Sequence, residues 1–154
     1  MVCVVVGCAS PIPAADSSVD SAAVDAAPED VSAQLQFQRN LERGTWSRMH
    51  PTLNIVYRYE FRGGRVSRVR DWMMSACLER TTFEGLYTLL DNLLTVRFET
   101  GTIERTGCSM AQENQPLTPL PTEAITMANH TATLRITGDT LTLTRDGMDE
   151  IYTR

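Results

Sequence analysis

The stretch NIVYRYEFRGGRVSRVRDWMM, residues 54–74, alternates with a period of two. Ile55, Tyr57, Tyr59 and Phe61 fall on one face and Val56, Arg58, Glu60 and Arg62 on the other, the pattern of a strand with one face buried. Gly63 and Gly64 supply the positive φ angles that a two-residue hairpin turn requires, and RVSRVRDWMM is the returning strand.

The same punctuation recurs on both sides of this hairpin. GLYTLL (Gly85 to Leu90) turns at Asp91-Asn92 into LLTVRFETGTIER, where Leu94, Val96 and Phe98 alternate with Thr95, Arg97 and Glu99. A third hairpin joins ATLRIT (Ala132 to Thr137) through Gly138-Asp139 to TLTLTR (Thr140 to Arg145), and Asp146-Gly147 leads into MDEIYTR. With TWSRM (Thr45 to Met49) in front and TEAITMA (Thr122 to Ala128) as a further strand, the sequence predicts eight or nine antiparallel strands in roughly 110 residues. Ahead of them, AQLQFQRNLER (Ala33 to Arg43) has near-helical spacing and predicts a short helix stopped by Gly44. A meander of this length must close into a barrel or stack as two sheets to protect its edges. The expected fold is all-β, an antiparallel up-and-down barrel of eight or nine strands. Such a barrel encloses its own side chains or one small ligand.

Composition narrows the function classes. The 154 residues are 42% hydrophobic, enough for one domain with a core plus tails. All 14 basic side chains are arginine, and the formal net charge is -5. Asp16, Asp20, Asp25, Glu29 and Asp30 precede the first base, Arg39, so the N-terminal segment carries the imbalance and the remainder is neutral. That distribution favours neither nucleic acid nor an anionic surface as partner. The cysteines Cys3, Cys8, Cys77 and Cys108 lack CxxC spacing, so no metal cluster and no thioredoxin-type redox site is expected.

The chain opens MVCVVVGCAS, and Val2 to Val6 is far too short to span a bilayer, which needs about 20 apolar residues. The following PIPAADSSVDSAAVDAAPED has almost no large apolar side chain and cannot offset chain entropy by burial, so a strand before it would have no local partner. Val5-Val6-Gly7-Cys8 resembles the lipobox of bacterial lipoproteins. That resemblance implies a lipidated Cys8, with Gly7 admitting the signal peptidase. Ala9 in place of Asp implies sorting to the outer membrane of a Gram-negative cell envelope. The domain reading is therefore 1–8 as the end of a signal with its lipobox, 9–33 as an acidic Ala/Ser/Pro tether, and 34–154 as the barrel domain.

Gly44-Thr45-Trp46, directly after the short helix, resembles the G-x-W motif of the lipocalins. The resemblance implies that Trp46 sits at the closed end of the barrel beneath an arginine from near the last strand. Arg154 is the candidate for that role, with Arg145 as the alternative; read without the family, Trp46 is a core tryptophan of any β domain. In an exported protein, with Cys8 lipidated and Cys3 removed, Cys77 and Cys108 are expected to form a disulfide, the alternative being two buried free thiols. Both are expected between strands.

No catalytic residues are assigned. His50 and His130 have no sequence-local nucleophile or acidic partner, and Glu60, Asp71 and Glu84 read as surface ion pairs. RGGRVSRVR reads as exposed hairpin flanks, and the segment with Pro116, Pro119 and Pro121 as a loop. The leading expectation is non-catalytic binding of a small apolar or amphipathic molecule in the barrel mouth, lined by Tyr57, Tyr59, Phe61, Trp72, Leu94 and Phe98. The alternative is an envelope protein-binding module or hydrolase inhibitor that uses the outer surface and loops, and the third reading is an enzyme on a barrel scaffold. No cofactor, metal or nucleic acid is expected.

Overall fold

The computed structural model describes residues 28–74, 77–109 and 114–154. The lipobox at Cys8 and the expected tether up to residue 27 lie outside them. Helix α1 (Pro28–Leu41) precedes β1 (Thr45–Met49), β2 (Ile55–Arg62), β3 (Arg65–Met74), β4 (Cys77–Leu90) and β5 (Leu93–Thr106). There follow β6 (Gln115–Pro119), helix α2 (Thr122–Ala128), β7 (His130–Thr137), β8 (Thr140–Arg145) and β9 (Met148–Thr153). Eight of the strands form a closed antiparallel ring, β1-β2-β3-β4-β5-β7-β8-β9, with β9 returning to β1; β6 is an extra strand paired to the far half of β5. The fold is the closed up-and-down barrel that the alternation predicts.

The hairpin of residues 54–74 forms as read. Gly63 and Gly64 turn with φ of 54° and 78°, which sets Phe61 opposite Val66, Tyr59 opposite Arg68, Tyr57 opposite Arg70 and Ile55 opposite Trp72. Four expectations about the elements and their limits need correction. TEAITMA is not a strand but α2: Pro121 precedes it, Glu123 lies in its first turn, and Ile125 and Ala128 face the core three residues apart. The segment around Pro116 and Pro119 is β6 rather than a loop, and it tolerates proline because it is an edge strand. Strand β4 starts at Cys77, eight residues before Gly85, so Cys77 lies on a strand and not between two; Cys108 does follow β5. Helix α1 starts at Pro28, so residues read as tether make its first turns.

Packing is tightest at the end where α1 enters. Leu41, Trp46, Phe61, Leu94, Leu141 and Leu143 are completely buried there, and Leu134 nearly so. A β-bulge between Glu84 and Gly85 bends β4 over this core, and the backbones approach so closely that a Cβ on Gly85 would lie 2.6 Å from Phe98 Cα. Gly101 serves a different purpose, because its missing side chain leaves room for Leu120 and Ile125 on the β6–α2 segment. A disulfide joins Cys77 to Cys108 at the opposite end, stapling the start of β4 to the chain leaving β5.

Candidate functional site

The closed end is organised around Trp46. Its indole Nε1 donates to Leu41 O at 2.8 Å, which satisfies a carbonyl left free at the C-terminus of α1. Arg154 lies over the ring with its guanidinium carbon 4.6 Å from the centroid. The same guanidinium donates to Asn40 O, Arg43 O and Gly138 O and pairs with Asp139. One side chain thus ties the helix end, the first strand and the β7–β8 turn together. Arg145, the alternative, is at the other end, in contact with Glu150.

Four of the six expected ligand-lining residues are used up by packing. Tyr59, Phe61, Leu94 and Phe98 are buried; Tyr59 stacks on Phe61 at 5.6 Å and meets Tyr152 edge-on at 5.4 Å, while Phe98 tilts against Phe83 at 5.3 Å. Both apolar walls belong to one buried cluster, and their side chains are almost wholly covered by protein. Tyr57 and Trp72, the other two, are half-buried, one and two steps nearer the mouth.

Above the apolar base, the inward positions become charged. Register and burial put Arg48, Arg68, Arg70, Arg105 and Arg145 on the inner face beside Glu79 and Glu150. Each carboxylate is shared between two guanidiniums. Glu79, almost wholly buried, accepts from Arg70 and Arg105. Glu150 pairs with Arg145 at 3.0 Å and Arg48 at 3.5 Å. Arg48 also lies over the Tyr57 and Tyr152 rings, at 5.1 and 5.6 Å. Arg68 has no carboxylate partner among the described residues; its guanidinium carbon sits 4.6 Å from the centroid of Phe83 and 5.1 Å from that of Phe98. Two buried polar atoms at this level also lack partners, Arg70 Nε and Thr81 Oγ1, and their residues face each other across β3 and β4.

RGGRVSRVR therefore supplies two interior arginines, Arg68 and Arg70, which corrects its reading as exposed flanks. The signal was present, since two-residue closure at Gly63-Gly64 forces both onto the face of Tyr57 and Tyr59. On the outer face, Asp71 is buried between Arg58 and Arg80. Hydrogen bonding from Arg80, then from Arg58, holds its carboxyl below the usual carboxylate range. Glu60 and Glu84 are exposed.

His130 opens β7 at the edge of this polar layer. Nδ1 is 2.9 Å from Ala128 O, so it carries the proton and leaves Nε2 to accept from Tyr59 Oη at 3.4 Å. Burial pushes the imidazole pKa down, and the nearby Arg145 and Arg68 push the same way. Because the folded pKa lies below the unfolded value of about 6.5, the unfolded chain binds the proton first as pH falls. Stability is therefore lost below that pH, down to the folded pKa. Urea midpoints should fall from pH 7 to pH 5, and His130→Gln should flatten that slope. An unchanged slope would mean that His130 is not buried neutral.

Among the described residues, no group of three or more His, Cys, Asp or Glu side chains is placed to hold a metal ion. No protein-family model matches the chain, and no curated protein is significantly similar to it.

Proposed function

We propose that this is a lipid-anchored envelope protein of lipocalin-like type whose barrel mouth binds a small amphipathic molecule without catalysing a reaction. The observation that carries the reading is the contrast within the barrel: a solid apolar base beneath a half-buried layer of arginines, Tyr57 and Trp72. A site of this kind takes a ligand at the rim, with a short apolar part against the aromatic rings. The arginine over Trp46 supports the lipocalin-like assignment. Val5-Val6-Gly7-Cys8 and Ala9 support lipidation and outer-membrane placement, and the Cys77–Cys108 disulfide agrees with an oxidising compartment.

Titration with a neutral solvatochromic dye tests the binding. Saturable one-to-one binding that alters tryptophan emission is expected, weakened several-fold by Trp72→Ala with the β-sheet signal in circular dichroism retained. Absence of saturable binding at near-millimolar dye would overturn it. The anchor is tested separately, by expressing the gene with its full upstream leader and labelling with a fatty acid. Incorporation should disappear in Cys8→Ser, and label retained in that variant would exclude Cys8 as the anchor.

A specific feature favours the alternative, a protein-docking module. An open cleft of about 750 Å³ lies between α1 and the β4–β5 turn, lined by Val31, Leu35, Phe37, Leu89 and Leu90, of which Val31, Leu35 and Leu90 are exposed. Loss of partner binding in Leu90→Asp, with dye binding unaffected, would identify this second surface.

A further inference from the structure

We infer that the barrel mouth selects its ligand by an anionic headgroup, a carboxylate or phosphate monoester, held by Arg68 together with Arg70 and Thr81. The inference rests on the proposed ligand-binding role and adds the chemistry of the ligand. Among the described residues, five guanidiniums and two carboxylates face the upper interior. The two Glu-centred triads each retain one positive charge, and Arg68 adds a third. This occurs in a chain whose net charge is -5, so the cationic mouth is a local arrangement and not a reflection of composition.

Arg68 is the informative side chain. Its guanidinium lies over the Phe83 and Phe98 rings, which offer their faces to the cation but no acceptor, with the Tyr59 hydroxyl as its polar neighbour and no carboxylate among the described residues to pair with it. Two residues along β3, Arg70 Nε is buried without an acceptor, and directly across the ladder the Thr81 hydroxyl is buried without a partner. Buried polar groups of this kind are costly to leave unpaired, and two of them meet at one level of the barrel, one step nearer the mouth than Arg68. A neutral apolar guest would desolvate them further. A planar carboxylate or a phosphate supplies the missing acceptors, charge-assisted and in the fork geometry that guanidinium favours. Tyr57 and Trp72 are then left to cover the first carbons of the attached chain.

Isothermal titration of the full chain with dodecanoate, dodecyl phosphate, dodecanol and dodecyltrimethylammonium tests the inference. At least one of the two anions should bind about tenfold or more tightly than dodecanol, as expected for a charge-assisted hydrogen bond. The cation should bind more weakly than dodecanol. Which anion binds better distinguishes a carboxylate from a phosphate source. Arg68→Met should remove most of the anion preference, while Arg135→Met, on the exposed face of β7, should leave it intact. Should Arg68→Met not fold, Thr81→Val carries the test, since it nearly preserves shape and should cut the preference several-fold. Equal binding of dodecanol and both anions, or a preference unmoved in the folded variants, would overturn the anionic headgroup and leave the ligand-binding barrel standing. Failure of all four amphiphiles to bind would overturn both.

Discussion

Trp46→Ala is expected to lower the unfolding free energy by about 3 to 5 kcal/mol, the range for removing a large buried aromatic side chain. The indole is fully buried, so its removal leaves a cavity under the helix end that the surrounding Leu41, Leu141 and Phe61 can only partly fill. It also removes the donor to Leu41 O and the ring beneath Arg154. Trp46→Phe keeps most of the volume but not the N–H, so the difference between the two variants separates cavity from hydrogen bond. Urea unfolding followed by circular dichroism is the appropriate measurement, since the substitution removes a fluorophore. A loss below about 0.5 kcal/mol, the level of an ordinary surface substitution, would mean that this end of the barrel is not held by its tryptophan.

Removal of the disulfide is expected to have an effect of similar size. Cys77 and Cys108 are 31 residues apart, and on the chain-entropy model a loop of that length is worth about 3.5 kcal/mol. Its location adds a local consequence. The staple lies two residues from Glu79, so the paired double variant Cys77→Ser, Cys108→Ser frees the end of β4 that carries the most buried carboxylate in the mouth. Comparison of oxidised protein, reduced protein and the double variant should give one stability for the oxidised form and a common, lower one for the other two. If reduction leaves the urea midpoint unchanged, the β4–β5 ladder already restrains the chain without it.

The sequence was readable wherever the inward residues were apolar. Strands β2, β5, β7 and β8 alternate Tyr, Phe, Leu, Val or Ile with polar residues, and the turns at Gly63-Gly64, Asp91-Asn92, Gly138-Asp139 and Asp146-Gly147 mark their ends. It was unreadable where inward residues were polar. The first half of β4 places Glu79 and Thr81 inside and Leu78, Arg80 and Thr82 outside, so hydropathy carries no period there although the backbone continues unbroken. The arginine layer was hidden for the same reason: an inward arginine and an outward one look alike until the partner strand fixes the register. Only Arg68 and Arg70 could be placed from sequence, through the two-residue turn. Arg105, Arg145 and Arg48 depend on ring closure, a property of the whole chain. Seven residues, TEAITMA, were too few to tell a helix from a strand by period.

The ring is not uniformly sewn. Strand β1 matches five residues of β2 but only one of β9, where Ser47 faces Thr153. Beside that single stitch, Arg154 fastens the base to the helix end, and the Arg48–Glu150 ion pair bridges the same two strands at the rim. The fastening at the base is several hydrogen bonds over a sealed core, whereas at the rim Arg48 makes a half-buried ion pair with Glu150 at 3.5 Å and lies over the Tyr152 ring. The β1–β9 seam, with its single backbone pairing, therefore depends on side chains: Arg154 closes it at the base, and Arg48 with Glu150 closes it at the rim.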